Sequence, residues 1–512
     1  MNKQSLIKGS FILGVAGILT RFLGLFFRWP LIMLIGDEGI GYYQMSYPLY
    51  MFFIAMASGI PVAMSKMISE RNAVNDIKGS FQVMKESTLL MMIIGIGTTI
   101  SLLFFSKQII ELLKWDSKAY YSLVGISFAP MLISFVTIFR GFFQGFQNMT
   151  PSAISQILEQ IGRVVVGVGL AIFLLPKGIE YSAGGAAFGA TAGAVLASSY
   201  LYTKYKKIRK QYGIKKVKTN PEILNILLKI ALPISLGTTV GSIMNLIDSI
   251  LVPQKLLESG MTNTQATILY AQLTGKASVI VNIPLTLSVA ICTSLIPIIA
   301  ESFVLKRHEE LESKMHVAMK MAIVIALPCA FGLFFLADPV LKLIFPGRSE
   351  GGEILKYLSL SIPFIIVTQT TTSILQGTGN YMKPVINLLI GCIVKIFLTS
   401  TLVPIISINI YGAVMASLSA YIIATILNLI TLKVKLEVKL KFYDILIKPA
   451  YAATLMMIFV ILSYNVIYGK IGSNGIACLS SIFLGMIIYV ILIILFKVFE
   501  VSEIKDRLKR RS

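Results

Sequence analysis

The sequence predicts an all-α integral membrane protein: about fourteen transmembrane helices, arranged as two pseudo-symmetric six-helix lobes followed by two C-terminal helices. Three observations predict it. Of 512 residues, 56% are hydrophobic and only 14% charged, with a mean hydropathy of +0.80, a balance that no water-soluble domain of this length keeps in solution. Apolar runs of roughly 20 or more residues recur from Ser5 to Lys497, each long enough to cross a ~30 Å hydrocarbon core as a helix and without the alternation of a barrel strand. Segments of the first half also recur in the second at a shift of about 232 residues.

The first run, Leu6 to Ile35, is too long for a signal-peptide core of about 7–15 residues and lacks a small-residue cleavage site, so it is read as helix 1. Charged and Gly/Pro-rich breaks then divide the chain into spans near 6–35, 42–68, 84–106, 119–147, 151–175, 184–203, 223–252, 266–304, 316–337, 352–376, 384–408, 411–431, 445–468 and 475–497. With the N-terminus inside, Lys and Arg of the cytoplasmic segments outnumber those outside about four to one, which fixes the orientation and leaves both termini cytoplasmic. The densest basic stretch, Lys204 to Lys218 in YKKIRKQYGIKKVK, reads as a linker. Residues 1–203 are then the N lobe, 204–222 the linker, 223–444 the C lobe, and 445–512 the last two helices with a basic tail. The linker sets topology; contact with anionic lipid is its alternative use.

The internal repeat is explicit in FQGFQNMTP at 143–151 and LQGTGNYMKP at 375–384, which align Gln144 with Gln376, Gly145 with Gly377 and Asn148 with Asn380. The same register sets Arg163 opposite Lys395. IPVAMSKMISE at 60–70 is echoed by IPIIAESF at 296–303, matching Pro61 with Pro297. Two parallel repeats with an even number of helices each are a transporter device, with the path between them near the midplane.

Several function classes fall away. The net charge of +22 lies in short loops without interleaved aromatics, which excludes a nucleic-acid surface. Cys292, Cys329, Cys392 and Cys478 sit inside apolar runs without CxxC spacing, and His308 and His316 stand in or beside one charged loop without a ligand cluster. No metal and no cofactor are expected. There is no phosphate loop leading to GK[ST], no HExxH and no large polar domain, so no catalytic residues are assigned and the chain is read as a non-enzyme.

Ionisable residues inside lipid-length helices are costly and mark function by default. They are Arg21 and Arg28 in helix 1, Glu159 and Arg163 in helix 5, Asp248 in helix 7, Lys276 in helix 8 and Lys395 in helix 11. Cations dominate, which favours an anionic cargo. Arg21 and Arg28 are seven residues apart and so share one helix face about 10 Å apart, a spacing at which two guanidinium forks can hold a pyrophosphate. Arg163, Lys276 and Lys395 complete the candidate substrate-binding set. Glu159 and Arg163 have i,i+4 spacing and are read as a structural pair. Asp248 with Asn245 is the candidate for a coupling cation, the membrane potential being the other energy source. Gly59 and Pro61 in SGIPVAMSK loosen the backbone ladder and form the candidate hinge.

TRFLG in helix 1, SGIPVAMSKMISE in helix 2 and RGFFQGFQNMTPSAISQILEQIGRV across helices 4 and 5 together resemble the polysaccharide-transporter branch of the multidrug/oligosaccharidyl-lipid/polysaccharide exporter superfamily, related to lipid II flippases of the MurJ type. The resemblance runs over essentially the whole chain. It implies a fourteen-helix fold with N and C lobes facing each other in a V, alternating access, and a groove at helices 13 and 14 for a polyprenyl tail. It implies further that Arg21 takes the place of a required helix 1 arginine, that Arg28 lies one position from a second, and that Lys276 stands near a helix 8 arginine. The expected function is translocation of a lipid-linked peptidoglycan precursor of the lipid II type, for spore cortex, with membrane lipids as the other partners. Export of another lipid-linked oligosaccharide and a non-transporting scaffold in a wall-synthesis complex are the alternatives.

Overall fold

The computed structural model describes residues 6–214, 217, 219–436 and 443–499; Lys215, Lys216 and Lys218 of the basic linker, and the tail after Phe499, lie outside the described residues. The helices are α1 Leu6–Ala57, α2 Gly59–Ala73, α3 Ile77–Phe104, α4 Ser106–Leu112, α5 Tyr120–Ser127, α6 Ala129–Gly145, α7 Thr150–Leu174, α8 Ile179–Gln211, α9 Pro221–Glu258 and α10 Asn263–Ala271. They continue with α11 Ser278–Val304, α12 His308–Phe335, α13 Ala337–Ile344, α14 Gly352–Ser359, α15 Ile362–Gly377, α16 Met382–Leu402, α17 Ile410–Leu436, α18 Lys448–Ile471 and α19 Asn474–Leu495. No strand occurs among the described residues.

Ten helical stretches among the described residues are long and apolar enough to cross a membrane, or eleven when the bent pair α14–α15 counts as one span. The chain is a multi-pass membrane protein. Large apolar side chains such as Phe22, Phe26, Ile93, Phe173, Phe397 and Leu495 are exposed, the surface a lipid solvent requires and water does not tolerate.

Two breaks differ from the sequence reading. Residues 36–41, read as a gap between helices 1 and 2, are helical, and only Gly36 leaves the helical region, at φ 65° and ψ −170°. A side chain would strain that backbone, so glycine permits the kink in α1. The helix read at 119–147 is divided at Phe128, into α5 and α6.

The contacts divide the chain into two compact units, residues 1–271 and 272–512. Helix α9 belongs to the first. Its Ser235 Oγ accepts from Gly59 N (3.1 Å), its Thr238 hydroxyl meets that of Ser58 (2.6 Å), and Trp115 Nε1 donates to Ser249 O (2.7 Å).

The repeat reappears as geometry. Helices α3 to α8 begin at Ile77, Ser106, Tyr120, Ala129, Thr150 and Ile179; α12 to α17 begin at His308, Ala337, Gly352, Ile362, Met382 and Ile410, each 231 to 233 residues later. The connecting turns match as well. Asn75 and Lys306 both take positive φ (58° and 54°), followed by Asp76 at −81°, 74° and Arg307 at −86°, 77°. After α6 and α15, Gln147 and Gly379 have positive φ, and Asn148 N and Asn380 N donate five residues back to Phe143 O and Leu375 O. The FQGFQN and LQGTGN motifs therefore encode the same helix end.

Small residues set the closest packing of the first unit. Gly185, Gly189 and Gly193 recur every four residues on α8 and lie against α7, where a Cβ at Gly193 would collide with the Glu159 carbonyl and one at Gly189 with Gly167. Without a hydrophobic drive between helices in lipid, such close backbone contact supplies the attraction.

Candidate functional site

Pressed against α8 on its glycine side, α7 turns its charged residues elsewhere, and there they meet α6. Glu159 accepts from Arg140 Nη2 at 2.8 Å, and Arg140 Nε donates to Ser155 Oγ at 2.8 Å. The i,i+4 partner Arg163 lies farther off, at 3.8 Å. The intrahelical pair expected from spacing is thus the weaker half of a three-residue network, since a salt bridge between α6 and α7 has the short, charge-assisted geometry. Arg140 was missed because it stands near the end of an apolar run, where a cation ordinarily reads as interfacial. RGFFQG was the available signal: an arginine one turn inside a span, nineteen residues before an acid on the next one.

Arg163 is buried and its guanidinium lies over the Tyr47 ring, 5.9 Å from the centroid, a cation–π distance. Tyr47 stacks on Tyr43 (5.4 Å) and neighbours Tyr50 (6.0 Å), so the second part of α1 presents a tyrosine ladder to α7. Arg28, half-buried on the first part of α1, follows Phe27, whose ring meets that of Tyr43 edge-on at 5.8 Å. The first unit therefore brings Arg28 and Arg163 to one aromatic cluster. Arg21 lies two turns away on the same helix and is exposed. No hydrogen bond or ion pair joins Arg21 or Arg28 to another described residue.

The other predicted residues have different surroundings. Lys276 is 1% exposed and lies in a π-helical turn, Gln272–Ala277, whose extra residue turns the ammonium onto the 345–350 loop. It donates to Arg348 O (2.7 Å), approaches Glu350 Oε2 (3.4 Å), and stands over the Phe345 ring. Lys395 is 2% exposed, thirteen residues into α16 as Arg163 is thirteen into α7. Asp248 is buried on α9 and Asn245, three residues earlier, is exposed. No group of three His, Cys, Asp or Glu side chains among the described residues is arranged to hold a metal ion. Gly59 follows the break at Ser58, and a Cβ there would strike the Ala231 carbonyl; the residue permits close approach of α9 as well as a bend. Pro61 lies in the first turn of α2, where its missing N–H costs least.

Comparison with known proteins places this geometry in context. The chain is 29% identical to stage V sporulation protein B of Bacillus subtilis (strain 168) over 99% of its own length and 98% of that protein. It is 26% identical to the lipid II flippase MurJ of the same organism, over 84% of this chain and 83% of the flippase. Among solved structures, lipid II flippase MurJ in an inward closed conformation matches the fold with a TM-score of 0.75 at 18% identity, covering 95% of this chain and 99% of the other. An inward-facing multidrug resistance MATE transporter matches with a TM-score of 0.70 at 17% identity, over 81% and 94%. Of these, the two MurJ proteins carry the name of flippases and the MATE protein that of a multidrug transporter. A MatE family model covers residues 274–401, and the polysaccharide biosynthesis protein model covers residues 6–303, more than half of the chain, which therefore belongs to the polysaccharide biosynthesis protein family.

Proposed function

We propose that this protein is a flippase that carries a lipid-linked anionic saccharide, a peptidoglycan precursor of the lipid II type, from the inner to the outer leaflet by alternating access. The observation that carries the reading is the pair of guanidiniums of Arg21 and Arg28 on one face of a lipid-length helix, neither ion-paired to a described residue. A cation kept in such a place needs an anionic partner, and a pyrophosphate accepts bidentate bonds from both forks. Arg163, Lys276 and Lys395 are the further cations of the path; Asp248 with Asn245 is the site for a coupling ion. The names of the two Bacillus relatives support the substrate class and a role in sporulation.

In this reading the spans number fourteen. The continuous stretch Ile12–Ala73 is 62 residues, about 93 Å, too long for one crossing, and its bend at Gly36 divides it into two. Helices α8 and α11, at 33 and 27 residues, supply the remaining two. Six spans then form each lobe, 1–203 and 223–444, α18 and α19 follow, and both termini are cytoplasmic.

The test is reconstitution in vesicles with fluorescent lipid II and, separately, with a polyprenyl-pyrophosphate carrying an unrelated saccharide. Protein-dependent translocation of lipid II supports the reading. Translocation of the second substrate alone transfers the activity to another polysaccharide unit, the reading favoured by the family description. Movement of neither at normal folding refutes transport.

A further inference from the structure

Tyr43, Tyr47 and Tyr50 recur at i, i+4 and i+7 on the second part of α1 and so project from one face, with successive rings 5.4 and 6.0 Å apart. The Phe27 ring meets Tyr43 edge-on at 5.8 Å, which brings the head of this ladder beside Arg28 on the first part of the helix. None of the three phenol hydroxyls hydrogen-bonds to a described residue, although Tyr43 and Tyr50 are buried and Tyr47 is half-buried. On α7, where the Arg163 guanidinium lies over Tyr47, two further polar atoms are buried without a hydrogen-bond partner among the described residues: Arg163 Nε and, one turn earlier, Gln160 Oε1. Unmatched polar groups gathered inside a span are costly until something arrives to pair with them.

What pairs with them follows from their chemistry. Tyr47 stacks on Tyr43 and lies under Arg163, so its ring is already engaged and recognition falls to the hydroxyl edges. A phenol both donates and accepts, as a sugar hydroxyl does, and Gln160 Oε1 adds an acceptor. A phosphate offers acceptors only and is matched by guanidiniums. We infer that Tyr43, Tyr47 and Tyr50, with Gln160 and Arg163 beside them, seat the sugar joined to the pyrophosphate of the cargo. The inference rests on the flippase reading and divides its site: the guanidiniums of Arg21 and Arg28 take the phosphates, and the tyrosine hydroxyls take the first sugar ring.

The experiment is equilibrium binding to the full chain in nanodiscs, with two probes: bare polyprenyl pyrophosphate and lipid II. Replacing all three tyrosines by Phe removes the hydroxyls and keeps the rings, their packing and the platform under Arg163. Affinity for lipid II should fall about tenfold, while affinity for the bare lipid stays within about twofold. Equal loss for both probes, or loss for neither, overturns the inference. Arg21→Ala, measured alongside, should weaken both probes. If it spares both while the triple Phe variant loses lipid II alone, the phosphate clamp falls and the sugar seat stands. Wild-type protein that binds neither probe removes both.

Discussion

In the first repeat Arg140, Ser155, Glu159 and Arg163 run from α6 into α7; 232 residues later the same register holds Thr372, Asn387, Gly391 and Lys395. The backbone course is shared, down to the positive φ of Gln147 and Gly379. The interior chemistry is not. The first repeat joins its helices by a largely buried ion pair, Arg140 to Glu159, with 15% and 12% of the side chains exposed. The second uses neutral groups. Asn387 donates to Asn428 Oδ1 (2.8 Å), Asn428 donates to Thr371 Oγ1 (3.0 Å), and the Thr368 and Thr425 hydroxyls meet at 2.8 Å. One fold thus tolerates either solution, provided that each buried polar group finds a partner.

The two solutions differ in what they cost to break. Removing one member of a buried ion pair leaves an uncompensated charge, at about 3–5 kcal/mol. Glu159→Gln would leave Arg140 and Arg163 facing each other, so it should produce the largest loss of thermal stability of any change discussed here, measured on detergent-solubilised protein. The double change Arg140→Met with Glu159→Met should recover most of that loss. If Glu159→Gln is silent, the network does not hold α6 to α7.

Asn428→Leu in the second repeat should cost less, about 1–2 kcal/mol, because a neutral amide leaves only unpaired hydroxyls and another amide behind. Equal losses for Glu159→Gln and Asn428→Leu would erase the distinction between the repeats.

The smallest contrast is at the turn that opens α3 and α12. Asp76 caps α3 by accepting from Gly79 N (2.8 Å) and pairs with Arg71 (2.6 Å), whereas Arg307, at the same dihedrals, makes no side-chain cap. Asp76→Ala should cost about 1 kcal/mol and Arg307→Ala almost nothing. The Gly79 amide, and after it Arg71, hold the Asp76 carboxyl below its usual range against the opposing effect of burial. Its stabilisation is therefore complete above the unfolded value near 4 and fades as pH falls through the lower folded one. Wild-type protein should lose its advantage over Asp76→Asn only below about pH 4; an advantage that disappears at neutral pH would exclude the carboxylate as its source.

Much of this was legible in the sequence because the signals were periodic or repeated. Lipid-length apolar runs gave the membrane class, and FQGFQN with LQGTGN gave a repeat that extends to the conformation of single turns. The chain order showed less of what depends on neighbours from other helices. Arg140 could not be assigned to Glu159 without knowing that α6 and α7 pack antiparallel across a short turn. Lys276 was legible as a cation inside a span, whereas no pattern of side chains announced the π-helical turn that sets it beside the Arg348 carbonyl. Arg21 and Arg28 were legible for the opposite reason: on one helix, seven residues fix a shared face without any partner.

That pair carries the account, and the most direct test is transport per folded molecule for Arg21→Ala, Arg21→Lys and Arg28→Ala in lipid II vesicles, with membrane abundance measured alongside. Transport should fall by about tenfold or more in both alanine variants at unchanged abundance, and Arg21→Lys should recover only part of it, since an ammonium keeps the charge and loses the bidentate fork. Near-normal transport in all three variants would contradict the account, because the guanidiniums of α1 would then not touch the cargo.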